Sequence, residues 1–344
     1  MQNEITTNDD LLDDRGRLKE RGFSKKPLLN YNPEKIAVYP FKTLNRLRLK
    51  EWDYYGITTS DFFFSATVSN LGYAGMVFIY YVDFHDQTCV ERSIITPWGK
   101  DCILPHSSES GNIEFKGEGV RVSFLRRSDH REIMVAWKDF YQGSEITADL
   151  TVYQPDRIES IVMSTPIGRK RFYYNQKINC MPTEGTIRLG KRVYTLDRKS
   201  ALTTLDWGRG VWEYSSYWNW ASASGFLRDG RSVGLNLGTG FGDLSHATEN
   251  CFFINGKMTK LDRVEFLYDS SNYMRQWFFP SNDGKLNLTF TPFLERVARS
   301  NLLVIRSEVH QMFGRYDGYV VTDAKEKIAV KGLVGWAEEH HARW

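Results

Sequence analysis

The residues best suited to chemistry fall in three clusters. The first, DWGRGVWEYSSYWNWASASG at 206–225, opens with an acid and a base three apart, Asp206 and Arg209. It also carries Trp207, Trp212, Trp218 and Trp220, four of the ten tryptophans. A carboxylic acid buried alone in apolar surroundings has its pKa raised and can donate a proton; beside a guanidinium it stays ionised. Asp206 and Arg209 are thus either a catalytic pair or an ion pair fixing a glycine-rich corner. The distinction matters because hydration of an alkene begins with protonation, and the resulting cation can be held over indole faces.

The second cluster, NLGTGFGDLSHATEN at 236–250, starts at Asn236, ends at Glu249 and Asn250, and runs into Cys251-Phe252-Phe253. A carboxylate hard against such an apolar segment is a site candidate; the alternative is a strand end satisfying backbone donors. Its glycines, Gly238, Gly240 and Gly242, do not form a dinucleotide fingerprint. The third comes one position early and no helix-forming segment follows, so turns or bulges account for them.

The third cluster is GWAEEHHARW at 335–344. In a strand, Glu338 and His340 face one side and Glu339 and His341 the other. No face then offers a metal more than two ligands, and a third has to come from His310 or His246. Structural or proton-transfer roles take precedence, and no metal is expected. Gln311, just before Phe313-Gly314, either places a polar group in a pocket or ends a strand.

These side chains need strands to position them. Ile146, Ala148, Leu150 and Val152 alternate with polar residues, as do Val120, Val122 and Phe124, and Leu286, Leu288 and Phe290. Strict period-two alternation marks strands with one buried face. Turn signals separate them: Glu118-Gly119, Asp229-Gly230, Asn255-Gly256 and Asn282-Asp283-Gly284. The ambiguous segment 295–313, with Leu303, Ile305 and Ser307, is read as strand. If 217–221 is a strand, Trp218 and Trp220 share a face, with Trp212 on the preceding turn or strand. Their indoles then line a cavity or plug it. The pattern predicts an all-β chain with an N-terminal arm at 1–30, a first β domain at 31–166 and a second at 167–344, divided near Ser164-Gly168.

Composition sets bounds. The chain has 344 residues, 41% hydrophobic and 25% charged, with a formal charge of +3. So small a charge argues against nucleic acid as a partner. No run of about 18 apolar residues occurs, so no integral membrane segment is expected. Aromatic content of 14% favours pleated surfaces or an aromatic-lined cavity. The polar, acidic start does not read as a leader and four scattered cysteines read as buried free thiols, so a cytoplasmic protein is expected.

Taken in order, LLDDRGRLKERGFSKKPLLNYN, LKEWDYYGITTSDFFFSATVSNLGYAG, KINCMPTEG, DWGRGVWEYSSYWNWASASG, NLGTGFGD, ATENCFF, HQMFGRYDGYV and GWAEEHHARW resemble, nearly end to end, the bacterial family of domain of unknown function 2804. That family is similar in outline to the calycin-like group containing carotenoid hydratases of the hydroxyneurosporene synthase type. The resemblance implies two lipocalin-like (calycin-type) antiparallel β-barrels or strongly curved sheets packed together, with a pocket suited to an apolar ligand. The expected function is binding of an isoprenoid- or lipid-like hydrophobic small molecule, with cofactor-free proton transfer of the hydratase, cyclase or isomerase type. Asp206 or Glu249 would be the acid or base and Arg209 would tune charge. Trp212, Trp218 and Trp220 would line the pocket, with Asn236, Asn250, Gln311, Glu338 and His340 as further ligand contacts. The competing expectations are a non-catalytic carrier or sensor, and a structural protein whose barrels are filled.

Overall fold

The computed structural model describes residues 2–302 and 305–343. Two strongly curved antiparallel sheets with a calycin-like arrangement account for most of them. The path across the larger sheet runs from Thr88–Pro97 through Ala74–Asp83, Phe62–Asn70 and Leu49–Thr58 to Leu202–Val211. It continues through Arg171–Leu189, Ser144–Tyr153, His130–Tyr141 and Val120–Arg126 to Asn112–Gly117. The smaller sheet runs from Lys257–Lys260 through Cys251–Ile254, Ser232–Thr239 and Ser215–Phe226 to Lys327–Arg343. Ile305–Val321, Leu286–Leu302 and Trp277–Pro280 complete it. Among the described residues neither path returns to its first strand, so each sheet is a curved half-barrel rather than a closed one.

The alternating stretches form strands for the expected reason. Ile146, Ala148, Leu150 and Val152 are all buried, as are Val120, Val122 and Phe124, and Leu286, Leu288 and Phe290. Asn255 and Gly256 both take positive φ, 48° and 77°, and join Cys251–Ile254 to Lys257–Lys260 as a tight hairpin. Segment 295–313 is strand on both sides of a hairpin, within Leu286–Leu302 and Ile305–Val321. Leu303 lies outside the described residues.

The division expected near 166 falls inside the hairpin joining Ile161–Ile167 to Arg171–Leu189, and both strands belong to the larger sheet. The chain changes sheet later, between Val211 and Ser215, within the tryptophan cluster. Alternation identifies a strand but not the sheet it joins; that depends on pairing between distant segments, here Leu202–Val211 with Leu49–Thr58. Of the expected arm at 1–30, the described residues 2–30 do not hang free of the body. Gly22–Ser24 pairs with Ile161–Ile167, Gln2 bonds Leu261 and Thr248 of the smaller-sheet segment, and Leu11 and Leu12 are buried. Of the cysteines, Cys102, Cys180 and Cys251 are buried as expected, whereas Cys89 is exposed, and all are free thiols.

Each sheet has its own apolar core, and a third cluster holds the two together. It contains Tyr54, Phe63 and Tyr80 from the larger sheet and Trp220, Phe313 and Trp336 from the smaller. Phe63 and Trp336 are fully buried, with ring centroids 5.3 Å apart. Tyr54, Tyr80 and Trp220 of this seam also border a space between the sheets.

Candidate functional site

That space is a cavity of about 590 Å³ lined from both sheets. Its position follows from strand alternation. On Leu202–Val211, Asp206 points into the cavity, whereas Leu205, Trp207 and Val211 pack in the core of the larger sheet. Arg209 points the same way as Trp207, its guanidinium 4.2 Å from the Trp207 ring centre. The expected Asp206–Arg209 pair therefore does not exist. Residues three apart on a strand face opposite ways, so Arg209 is removed from the candidate site.

The partner of Asp206 is Lys177, directly across in Arg171–Leu189 and 3.1 Å from Asp206 Oδ2. Lys177 Nζ also lies 3.6 Å from Glu249 Oε2 and 3.9 Å from the Trp220 ring centre. Glu249 accepts bonds from Asn236 Nδ2 at 3.2 Å and from Asn175 Nδ2 at 3.5 Å. Trp220 Nε1 donates to Asn236 Oδ1 at 2.8 Å, so Asn236 braces this cluster from behind rather than lining the cavity. Burial raises the Asp206 pKa and Glu249 adds to the effect, while Lys177 opposes it. Burial disfavours the Lys177 ammonium, but Asp206 and Glu249 together hold its pKa above the ordinary value. Asp206 Oδ1 is buried without a hydrogen bond of ordinary geometry.

Two glycines make this close packing possible. A Cβ at Gly238 would stand 1.9 Å from Glu249 Oε1, and one at Gly208 would stand 2.2 Å from the Trp52 indole. Glu249 and Trp52 therefore lie flat on bare backbone. Asn250 goes elsewhere: it accepts from Gly238 N at 2.8 Å and donates to Asp262 O at 3.1 Å, a loop brace outside the cavity. That corrects its assignment as a ligand contact.

A second polar group enters from the smaller sheet. Gln311 Nε2 donates to Glu338 Oε2 at 3.1 Å, and Gln311 Oε1 accepts from Tyr80 at 3.1 Å and Arg296 at 3.3 Å. Tyr80 in turn shares a 2.8 Å hydrogen bond with Tyr54. Burial pushes Glu338 up to about 7, against the pull of Arg296 and Lys177. His340 lines the same wall, bonded to Ser307 at 2.9 Å and 3.9 Å from the Trp218 ring; burial holds it down at about 3, neutral at ordinary pH.

The remaining wall is aromatic. Trp212 meets Trp52, Tyr173, Trp218 and Phe241 edge to face, at centroid distances of 5.0, 5.5, 5.8 and 4.6 Å. The indoles of Trp212, Trp218 and Trp220 thus border the space and do not fill it. Ile95 and Val297 line the cavity and are exposed, marking where it reaches the surface.

Glu339 and His341 occupy the opposite face. Glu339 accepts from Tyr268, from Tyr273 at 2.6 Å, and from His341 at 2.9 Å. His310 is held by Glu295 at 2.7 Å and Glu308 at 3.3 Å. Among the described residues no three His, Cys, Asp or Glu side chains are grouped to hold a metal ion.

The sequence reading missed Lys177, Arg296 and Lys50, all of which line the cavity. A signal for Lys177 was present: Asn175, Lys177 and Asn179 form a polar stripe at period two inside an otherwise buried strand.

Comparison with solved structures shows the same architecture elsewhere. A crystal structure of a candidate AttH protein from Nitrosomonas europaea aligns with a TM-score of 0.52 and 14% identity, covering 91% of this chain and 98% of that one. At that identity the likeness is one of fold. Kievitone hydratase from Nectria haematococca aligns with a TM-score of 0.49 and 11% identity, covering 90% of this chain and 94% of that one. Among curated proteins none matches the sequence. No helix among the described residues is long and apolar enough to cross a membrane. The match that places the chain spans residues 2–344, and by it the protein belongs to the family described as domain of unknown function 2804 (DUF2804).

Proposed function

We propose that this protein binds an apolar small molecule between its two sheets and exchanges a proton with it. The observation that carries the reading is one arrangement: a buried carboxyl, Glu338, stands at the wall of an aromatic cavity beside Gln311, with Asp206 and Lys177 among the lining residues. A volume of about 590 Å³ lies within the range of small-molecule sites, roughly 300–1,000 Å³. Glu338, poised at about 7, can both give and take a proton at neutral pH.

In this reading Glu338 protonates an electron-rich carbon of the ligand. The cation formed lies over the Trp212, Trp218 and Trp220 faces, and Asp206 or Glu249 accepts the proton that leaves ligand or water. Lys177, not Arg209, sets the charge of those two carboxylates. Hydration, elimination and isomerisation share these steps. A non-catalytic carrier needs only the apolar wall, and the carboxyl groups of Asp206, Glu249 and Glu338, with Lys177 among them, favour proton transfer.

Incubation with an apolar cell extract in D2O tests the proposal. Compounds extracted from the wild-type protein should have gained deuterium, and those from Glu338→Gln should be retained without it. Retention with no exchange by either protein would leave a carrier; no retained compound would remove the ligand reading.

A further inference from the structure

Lys50 lines the cavity but belongs to neither cluster described above. It shares a strand face with Trp52 and Tyr54 and is 1% exposed. Its Nζ donates to Leu71 O at 2.6 Å and lies 4.3 Å from the Tyr73 ring centre. Among the described residues no carboxylate lies within ion-pair distance of it, and the like charge of Arg48 further disfavours its ammonium. The Tyr73 hydroxyl is buried without a hydrogen-bond partner. Burial, with Arg48 adding to it, brings Lys50 down to about 7.

A lysine is almost never so deeply buried without a counter-charge. Holding the Leu71 carbonyl uses one of three ammonium donors, and a neutral amide would do it without burying a charge. The Tyr73 ring face takes up a second donor direction, which leaves one donor on Lys50 and the Tyr73 hydroxyl beside the cavity. Farther along the same strand face is Tyr54, also at the cavity wall, whose hydroxyl leads through Tyr80 and Gln311 to Glu338. Four residues along a strand separate Lys50 from Tyr54, roughly 13 Å at the usual rise. The wall between them is Trp52 and its aromatic neighbours.

We infer that Lys50, with the Tyr73 hydroxyl, seats the carboxylate of an anionic amphiphile whose chain runs along the Trp52 wall toward Glu338. This rests on the apolar-ligand reading above and names the class of ligand: an acid whose reacting carbon lies well removed from its carboxylate. A carboxylate arriving at Lys50 supplies the missing counter-charge and stabilises the protonated amine.

Calorimetric titration with dodecanoate and dodecanol, at pH 7, tests the inference on wild type, Lys50→Met and Lys50→Arg. Wild type should bind dodecanoate about tenfold or more tightly than dodecanol, the scale of a charge-assisted hydrogen-bonded pair. Lys50→Met should lower dodecanoate affinity to that of dodecanol, and Lys50→Arg should keep a preference for the acid. Equal binding of the two by wild type, or an undiminished preference in Lys50→Met, would overturn the Lys50 site and leave the apolar-ligand reading standing. Failure of wild type to bind either would remove both. Should Lys50→Met not fold, Lys50→Gln, which keeps a donor for the Leu71 carbonyl, replaces it with the same expected loss of preference.

Discussion

Two buried charge clusters flank the strand Leu202–Val211, one on each face, and they are built differently. On the core face, Arg209 donates to Asp53 at 2.8 Å and to three carbonyls, Trp52 O at 2.7 Å, Gly208 O at 2.9 Å and Pro105 O at 3.0 Å. Glu51 stands 3.7 Å away, itself bonded by Tyr31 at 3.0 Å. The guanidinium is fully buried, stacked on Trp207 and surrounded by acceptors. On the cavity face, Lys177 serves two carboxylates, and Asp206 keeps an oxygen without an ordinary hydrogen bond. The first cluster is closed: it keeps one donor, Arg209 Nε, without an ordinary hydrogen bond, but Arg209, Asp53 and Glu51 are sealed in the larger sheet and none of them lines the cavity. The second is open toward a space a ligand can enter. Burial of charge alone therefore does not mark a site; unspent hydrogen-bonding capacity at a cavity wall does.

Loss of a counter-charge on the closed side should have the largest effect. Asp53→Ala leaves Arg209 buried without its nearest counter-charge and should cost about 3–5 kcal/mol in chemical denaturation. Lys177→Met should cost less, about 1–3 kcal/mol, because the cavity lets its carboxylates take protons or water. Equal losses would mean that the two clusters are equally structural.

The pH dependence of stability sharpens the contrast. The Glu338 pKa rises on folding from 4.5 to about 7, because burial outweighs Arg296 and Lys177 and Asp206 adds to it. A raised carboxyl pKa favours the fold while protonated. That contribution is complete below 4.5 and is lost as pH rises through about 7. Wild type should therefore lose stability relative to Glu338→Gln across that window and run parallel to it above, as followed by urea melts at successive pH values. The smallest effect belongs to the outward face of Lys327–Arg343. His341, exposed and bonded to Glu339 away from the cavity, should change stability by no more than about 0.5 kcal/mol as His341→Ala and leave ligand binding unaltered.

Much of this was legible wherever a single strand decided it. Alternation puts Trp218 with Trp220 and Glu338 with His340 on the cavity side, and Asn219 and Glu339 on the other. The same parity rule, applied to Asp206 and Arg209, already separates them; the pairing read from their closeness in sequence overlooked it. What no local pattern could supply was which distant strand lay alongside. Lys177 meets Asp206 through strand pairing, and Glu249 and Glu338 reach the same cavity only because the smaller sheet folds over it. Lys50 is a different omission. It occupies the cavity-facing parity of Leu-Lys-Glu-Trp-Asp-Tyr, where a charge among aromatics is itself the signal.

The proposed chemistry requires Glu338 to hold a proton that it can exchange near neutrality, unlike the closed charges across the strand. Infrared difference spectra between wild type and Glu338→Gln, recorded from pH 5 to 9, test this directly. A protonated-carboxyl band should be present at pH 5, titrate with a midpoint of about 7, and be missing from the variant. A wild type with no such band at pH 5, or a band unchanged in Glu338→Gln, would contradict the assignment of Glu338 as the proton-exchanging group of the cavity.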